Sequence, residues 1–367
     1  MNTIHFRSFN LSELQLFLES LEIPKYRASQ ILDWLHQKHV MNFSEMKNLP
    51  KALKETLAQC AAVQALTLVE VPESKNHESS KYLMKTEDGH LLESVLIAQS
   101  GRQTVCVSTQ LGCRVRCSFC ASGKGKFGRN LTAGEIVEQV SQISRHLSVI
   151  ARSAATKQST SEITSFPSVT RNDITNVVFM GMGEPLDNYE ATMKAIEILT
   201  SDWGFGLGGR RITVSTSGIT PMIEKFVHDS RGRVRLSVSL HSSDQETRSQ
   251  LVPINKKYRL DDLIQMLEKI HRVLRREITF EYTLIEGIND SLREARGVGK
   301  IASRLGAKVN LIPYNPIREM DYHTPSEERI AFFRKFLEEK DVHVTVRQTA
   351  GRDIDAACGQ LRLDRKS

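Results

Sequence analysis

"CVSTQLGCRVRCSFCASGKGKFGRN", residues 106–130, carries four of the six cysteines in this chain: Cys106, Cys113, Cys117 and Cys120. The spacing Cys113-x3-Cys117-x2-Cys120 places three thiols on one tight loop. A closed structural zinc site takes four ligands, so three suit a metal group that keeps a position open. A four-iron cluster held by three thiolates likewise leaves one iron free for a small molecule. The spacing alone also admits a zinc site completed by a histidine or by Cys106. Six cysteines in 367 residues are too sparse for a disulfide scaffold, which favours metal binding or catalysis.

The loop follows a strand-like run, "TVCVSTQ", and the chain beyond it repeats the alternation of strand and helix. "NVVFMGMGE", "RITVSTSG", "RLSVSLH", "ITFEYTLI" and "KVNLIPYN" read as strands, with amphipathic segments between them such as residues 260–275 and 291–305. Such alternation predicts parallel βαβ units, an α/β fold in which six units form an incomplete (β/α)6 barrel over residues 100–345. A late run, "VHVTVRQT", adds to it, and residues 346–367 form a C-terminal segment. Function in such folds gathers at the C-terminal ends of the strands. Here those ends read CxxxCxxC, GMGEP, STSG, SLH and PYN.

Upstream, residues 11–21, 26–38 and 50–62 carry apolar residues at helical spacing, with Pro24 and Pro50 as punctuation. "LTLVEV", "SSKYLMKT" and "LLESVLIA" then predict a β-meander with a hairpin turn at "EDGH". Residues 1–99 are thus expected to form a helical accessory module with a β extension. Residues 151–172, rich in Ser and Thr, predict a mobile surface loop. Hydrophobic content of 40%, charged content of 25% and no long apolar run describe a soluble protein. With no signal-peptide core at the start, a reducing cytoplasmic setting is expected. The net charge of +7 leans towards a polyanionic partner. Lys124, Lys126 and Arg129 around Phe127, with Arg347 and Arg352, are the candidate phosphate contacts. Cys60 reads as a buried thiol on an N-terminal helix.

"MGMGEP", residues 180–185, ends a strand in glycines that let backbone approach a ligand, followed by the carboxylate of Glu184. Ser215 and Ser239–His241 offer hydroxyls and an imidazole at the next two strand ends, and Asn315 an amide. CxxxCxxC after the first barrel strand, with Phe119 before its last cysteine, resembles the radical S-adenosylmethionine (SAM) superfamily. In order along nearly the whole chain, "YRASQILDWLHQK", "NLPKALKETL", "CVSTQLGCRVRCSFC", "GRNLTAGEIVEQV", "NVVFMGMGEPLDNY", "SVSLHSSDQETRSQLVPIN", "LIPYNP" and "GRDIDAACGQL" resemble the RlmN/Cfr family of radical SAM RNA (adenine) methyltransferases, RlmN more than Cfr.

The resemblance implies a radical SAM barrel, one [4Fe-4S] cluster on Cys113, Cys117 and Cys120, and two SAM molecules per turnover. It implies SAM binding by Gly183, Glu184, Ser215, Ser239, Leu240, His241 and Asn315. Adenine C2 is not nucleophilic, and the family's route is to methylate a cysteine, here Cys358. A radical then activates the S-methyl group, its carbon joins C2 of the base, and Glu93 accepts the C2 proton. Cys106 attacks Cys358 to release the RNA, leaving a disulfide to be reduced. The implied substrates are an adenosine in 23S rRNA at the peptidyl-transferase centre and one beside the anticodon in tRNA. The implied partners are a flavodoxin- or ferredoxin-like one-electron reductant and a disulfide reductant; no membrane is involved and a monomer is expected. Methylation at C8 in the manner of Cfr, and a non-catalytic zinc-stabilised RNA-binding protein, are the alternatives. "ASGKGKF" after the cysteines and the Ser/Thr-rich stretch depart from the family pattern.

Overall fold

A computed structural model of the protein describes residues 4–99, 101–157, 174–271, 274, 277–347 and 350–362. The chain opens with β1 (Ile4–His5), paired in parallel with β2 (Ala61–Ala62) around three helices. These are α1 (Leu11–Ser20), α2 (Arg27–His36) and α3 (Lys51–Cys60), each within the segment its apolar spacing predicts. A capping box starts α1: Asn10 Oδ1 accepts from Glu13 N at 2.9 Å and Asn10 N donates to Glu13 Oε2 at 2.8 Å. Phe6, Leu14, Ile31, Leu32, Leu35 and Leu57 pack into a core of their own.

The remaining strands form one ten-stranded sheet. β3 (Leu66–Glu70), β4 (Ser79–Thr86), β5 (Leu91–Gln99) and β6 (Arg102–Cys106) run antiparallel. From β6 onward every pairing is parallel, through β7 (Asn176–Phe179), β8 (Ile212–Thr216), β9 (Arg235–Ser239), β10 (Thr279–Leu284), β11 (Lys308–Pro313) and β12 (Val344–Val346). The crossovers carry α4 (Ala133–Lys157), α5 (Tyr189–Thr200), α6 (Thr220–Asp229), α7 (Gln245–Leu251) with α8 (Leu260–His271), α9 (Leu292–Leu305) and α10 (Glu327–Glu338). This is the expected open six-unit barrel, and the late strand joins its end. The meander shares β6 with the barrel in one continuous sheet, and the helical part has a core of its own.

Period-2 alternation decides what faces inward. Val214, Val238, Phe280 and Tyr282 are fully buried in the core. Their neighbours Ser215, Ser239, Glu281 and Thr283 line a cavity on the opposite face. Arg7, fully buried, docks the helical unit on the barrel: its guanidinium donates to Leu35 O and Val40 O within that unit and to Ser141 Oγ on α4 at 2.9 Å. Residues 151–157 continue α4 rather than starting a loop, because "ARSAATK" holds good helix formers. The rest of the predicted loop, 158–172, lies outside the described residues. Among the described residues no helix is long and apolar enough to cross a membrane.

Candidate active site

The strand ends of the barrel converge on one cavity lined by Cys113, Cys117, Cys120, Gly183, Glu184, Ser215, Ser239, His241 and Cys358. Residues 113 to 358 are thus brought together by topology. Glu184 is 3% exposed and satisfied on both oxygens. Its Oε2 accepts from the backbone N and Oγ of Ser217, each at 2.7 Å, and Oε1 accepts from Leu186 N at 3.1 Å. Burial raises its pKa and these bonds oppose the rise. Gly183 sits at φ +102°, and a Cβ there would lie 2.6–2.8 Å from Gln110 atoms. Only glycine permits this approach of the two loops.

His241 accepts a hydrogen bond on Nδ1 from Thr283 N at 3.0 Å, so the neutral ring carries its proton on Nε2. Burial, helped by the Arg248 charge, lowers its pKa to about 3 and keeps it neutral. Phe119 packs edge-on against the ring at 4.7 Å. Leu240 does not enter the cavity: its side chain is fully buried in the core, and its backbone bonds to Glu281 O and Arg248.

The three clustered thiols are half-buried. Burial pushes Cys113 up to about 12 and Cys117 well above the ordinary thiol value, with neighbouring thiols adding to both shifts. Burial also raises Cys120. Thiols so placed stay neutral until a metal supplies the positive charge that ionises them. Among the described residues no three His, Cys, Asp or Glu side chains converge tightly enough for a single ion. The three cysteines instead share a cavity with Glu184, Ser215 and Ser239, an arrangement that fits a multi-metal group carrying a small ligand.

A second cavity of roughly 340 Å³ adjoins the first, lined by Cys106, Cys120, Asn315, Arg347 and Cys358. Cys106 and Cys358 are both free thiols there. Burial, then the neighbouring Cys358, raises Cys106 to about 12. Arg347 has its pKa raised, chiefly by Cys358 and further by Glu281 and Cys106, and its charge in turn opposes the rise at Cys106. Asn315 reaches the C-terminal segment: Nδ2 donates to Cys358 O at 3.0 Å, and Oδ1 accepts from Arg352 at 3.2 Å. Glu93 is not among the residues lining either cavity. It is 1% exposed, with Oε1 3.2 Å from Lys81 Nζ and Oε2 accepting from Arg362 N at 3.0 Å.

Two expectations are corrected. Arg129 is committed to structure, bonded to Asp88 Oδ2 at 2.6 Å and Glu135 Oε1 at 2.7 Å. Arg114 pairs with Asp187 Oδ2 at 3.2 Å, which leaves Arg116, Lys124 and Lys126 as the exposed bases of this loop with no carboxylate partner among the described residues. Cys60 is half-buried at the end of α3, its Sγ bonded to the Thr56 and Leu57 carbonyls. Other site residues escaped the sequence reading. Arg248, fully buried, donates to the carbonyls of Leu240, Ser217 and Ser239, tying two strand ends. Glu281, 5% exposed, lines the cavity and accepts from Asn310 at 2.7 Å. A lone carboxylate in the apolar run "ITFEYTLI" was the available signal for the latter.

Comparison with known proteins agrees with this arrangement. Residues 4–63 match the ribosomal RNA large subunit methyltransferase N-terminal domain, and residues 166–296 match the radical SAM superfamily. The chain is 42% identical over 359 residues to the "Probable dual-specificity RNA methyltransferase RlmN" of Akkermansia muciniphila, covering 96% of this chain and 93% of that protein. It is 39% identical over 355 residues to the protein of the same name from Bacillus pumilus, covering 97% and 92%. A crystal structure of a radical SAM methyltransferase from Sphaerobacter thermophilus superposes with a TM-score of 0.89 at 40% identity, over 98% of this chain and all of that one. With its three-thiol loop, strand-end cavity and paired cysteines set in that fold, the chain belongs to the RlmN family of radical SAM RNA methyltransferases.

Proposed function

We propose that the protein methylates C2 of an adenosine in 23S rRNA and of an adenosine beside the anticodon of tRNAs, through S-methylated Cys358 and a covalent RNA adduct. The observation that carries this reading is the shared cavity of Cys106, Cys120 and Cys358, which sets two free thiols beside the three-cysteine loop. Cys113, Cys117 and Cys120 hold a [4Fe-4S] cluster, and Gly183, Glu184, Ser215, Ser239 and His241 orient SAM. When bound, the cluster and SAM supply the electron and the radical that activate an S-methyl group. Cys358, which lines the same cavity as Arg347, accepts the methyl group of SAM by displacement, losing its thiol proton. Its carbon becomes bonded to C2 of adenine, the C2 proton passes to Glu93, and the surplus electron of the adduct leaves to the oxidised one-electron carrier. Cys106, raised to about 12 in the free protein, gives up its proton and attacks the Cys358 sulfur. The sulfur–carbon bond breaks with its electron pair going to the carbon, which takes up a proton to become the C2 methyl group, and a Cys106–Cys358 disulfide forms. A dithiol returns two electrons to it, as a reducing cytoplasm permits. A one-electron carrier completes the cycle, with the protein acting as a monomer.

Nucleoside mass spectrometry of a deletion strain tests the regiochemistry. Loss of 2-methyladenosine from rRNA and tRNA is expected; loss of 8-methyladenosine alone overturns the C2 assignment. The two cysteines separate the steps. Cys358→Ala forms neither S-methylcysteine nor adduct. Cys106→Ala accumulates protein joined to RNA through Cys358, a nuclease-sensitive slow band on a denaturing gel. Normal turnover by both variants sinks the mechanism.

A further inference from the structure

Lys81 and Glu93 lie on adjacent antiparallel strands, β4 and β5. Lys81 stands opposite Val95 and Leu83 opposite Glu93, so the pair is diagonal on one face. Both side chains are about 1% exposed, with Nζ and Oε1 3.2 Å apart. A buried ion pair gains little over apolar residues of the same volume, so its other bonds indicate its use. Lys81 Nζ also donates to Asp355 O at 3.2 Å, and Glu93 Oε2 accepts from Arg362 N at 3.0 Å. The pair therefore grips both ends of segment 355–362, and Cys358 lies between. The same hairpin region adds Lys75 N to Asp353 Oδ2 at 2.9 Å. Gly351, at φ +74°, lies so close to Ser79 that a Cβ would meet Ser79 Oγ at 2.7 Å. From the barrel side, Ala121 N donates to Gly359 O at 2.7 Å and Ser122 Oγ to Leu361 O at 2.6 Å.

We propose that Lys81 is a positioning residue for the methyl-carrying cysteine: through Asp355 and Glu93 it holds segment 355–362 so that Cys358 faces the cavity shared with Cys106. The consequence for turnover rests on the function proposed above. A segment held in this way keeps Cys358 on the cavity that Cys106 also lines until the adduct is resolved.

Hydrogen exchange of the full-length holoenzyme, followed by mass spectrometry, tests the grip without relying on catalysis. In Lys81→Met, uptake by peptides spanning 355–362 rises roughly tenfold, as expected for loss of one buried charge-assisted bond, while peptides of α3 are unchanged. Lys81→Arg, which keeps the charge and its donors, returns uptake towards wild type. In turnover, Lys81→Met shifts the balance from released methylated RNA to trapped adduct, and Lys81→Arg reverses the shift. Unchanged uptake over 355–362 in Lys81→Met overturns the proposal; if that variant does not fold, Lys81→Gln is read in its place. Faster exchange everywhere, α3 included, also overturns it, since that is a stability effect. If the segment loosens but no variant, Cys106→Ala included, traps RNA, the positioning stands and the proposed function falls.

Discussion

Glu184 shows how one side chain at a strand end is prepared for a ligand. Three donors hold its two oxygens, so the carboxylate stays oriented even where burial disfavours its charge. Glu184→Gln places an amide NH2 against donors that need an acceptor. Such a mismatch costs about 1–3 kcal/mol of stability. The expected outcome is a folded variant with lowered thermal midpoint and at least tenfold weaker SAM binding by calorimetry. Binding as tight as wild type would remove Glu184 from the SAM site. His241 is set up differently, its tautomer fixed by a backbone N–H and its neutrality by burial.

At the scale of elements, the ends of the adjacent strands β8 and β9 are tied to each other by a side chain from outside the sheet. Arg248 on α7 makes that tie, donating to Ser217 O at 2.8 Å, Ser239 O at 3.0 Å and Leu240 O at 3.0 Å. The guanidinium fork spans three carbonyls at once, a geometry that an ammonium cannot copy. Arg248→Lys leaves buried carbonyls unpaired and should cost about 2–4 kcal/mol, roughly one to two unmet acceptors. SAM affinity should fall with it, because Ser215 and Ser239 are carried on the loosened ends. Measuring both the denaturation midpoint and SAM binding checks this; stability lost with affinity intact would show that the tie does not shape the site.

Across the whole molecule, the helical unit meets the barrel at α2 and the turn around Trp203 and Phe205. His36 lies 5.5 Å from Phe205 and 6.4 Å from Trp203, centroid to centroid, and His39 lies 5.4 Å from Phe205. Burial, with the Arg7 charge, lowers His39 to about 4 and His36 well below its usual value. Neither ring nitrogen of His36 has a hydrogen-bond partner among the described residues. Both rings are therefore neutral in the fold, and the unfolded chain binds more protons below its histidine pKa. Their stabilisation is complete above about pH 6.5 and is lost as pH falls towards 4, at up to roughly 1.4 kcal/mol per pH unit for each ring. The two tryptophans, Trp34 and Trp203, pack against this unit and report on it. Urea midpoints by tryptophan fluorescence should drop between pH 7 and pH 5, and His36→Leu should flatten that dependence. An equal slope in the variant would show that His36 does not carry the effect.

What the sequence determined by itself was periodic or local. The alternation of strand and helix, the three-cysteine spacing and the glycine–carboxylate strand end are patterns over a few residues, and each pattern follows from backbone geometry. Order along the chain then placed the strand ends on one rim, which is why Cys113, Glu184, Ser215 and His241 could be named together. What only the tertiary structure decided depends on partners far apart in sequence. Arg129 reads as a free cation until Asp88 and Glu135 are seen to hold it. Arg248 reads as one more charge on an amphipathic helix until three carbonyls close on it. Glu93 and Lys81 are alternating residues on a hairpin, and nothing local says that the last turns of the chain pack over them. The meeting of Cys106 with Cys358 is the extreme case: more than two hundred residues separate them, and only closure of the sheet and docking of the C-terminal segment put both on one cavity. Local patterns are fixed by neighbours along the chain, whereas charge pairing and thiol pairing are fixed by which surfaces burial brings into contact.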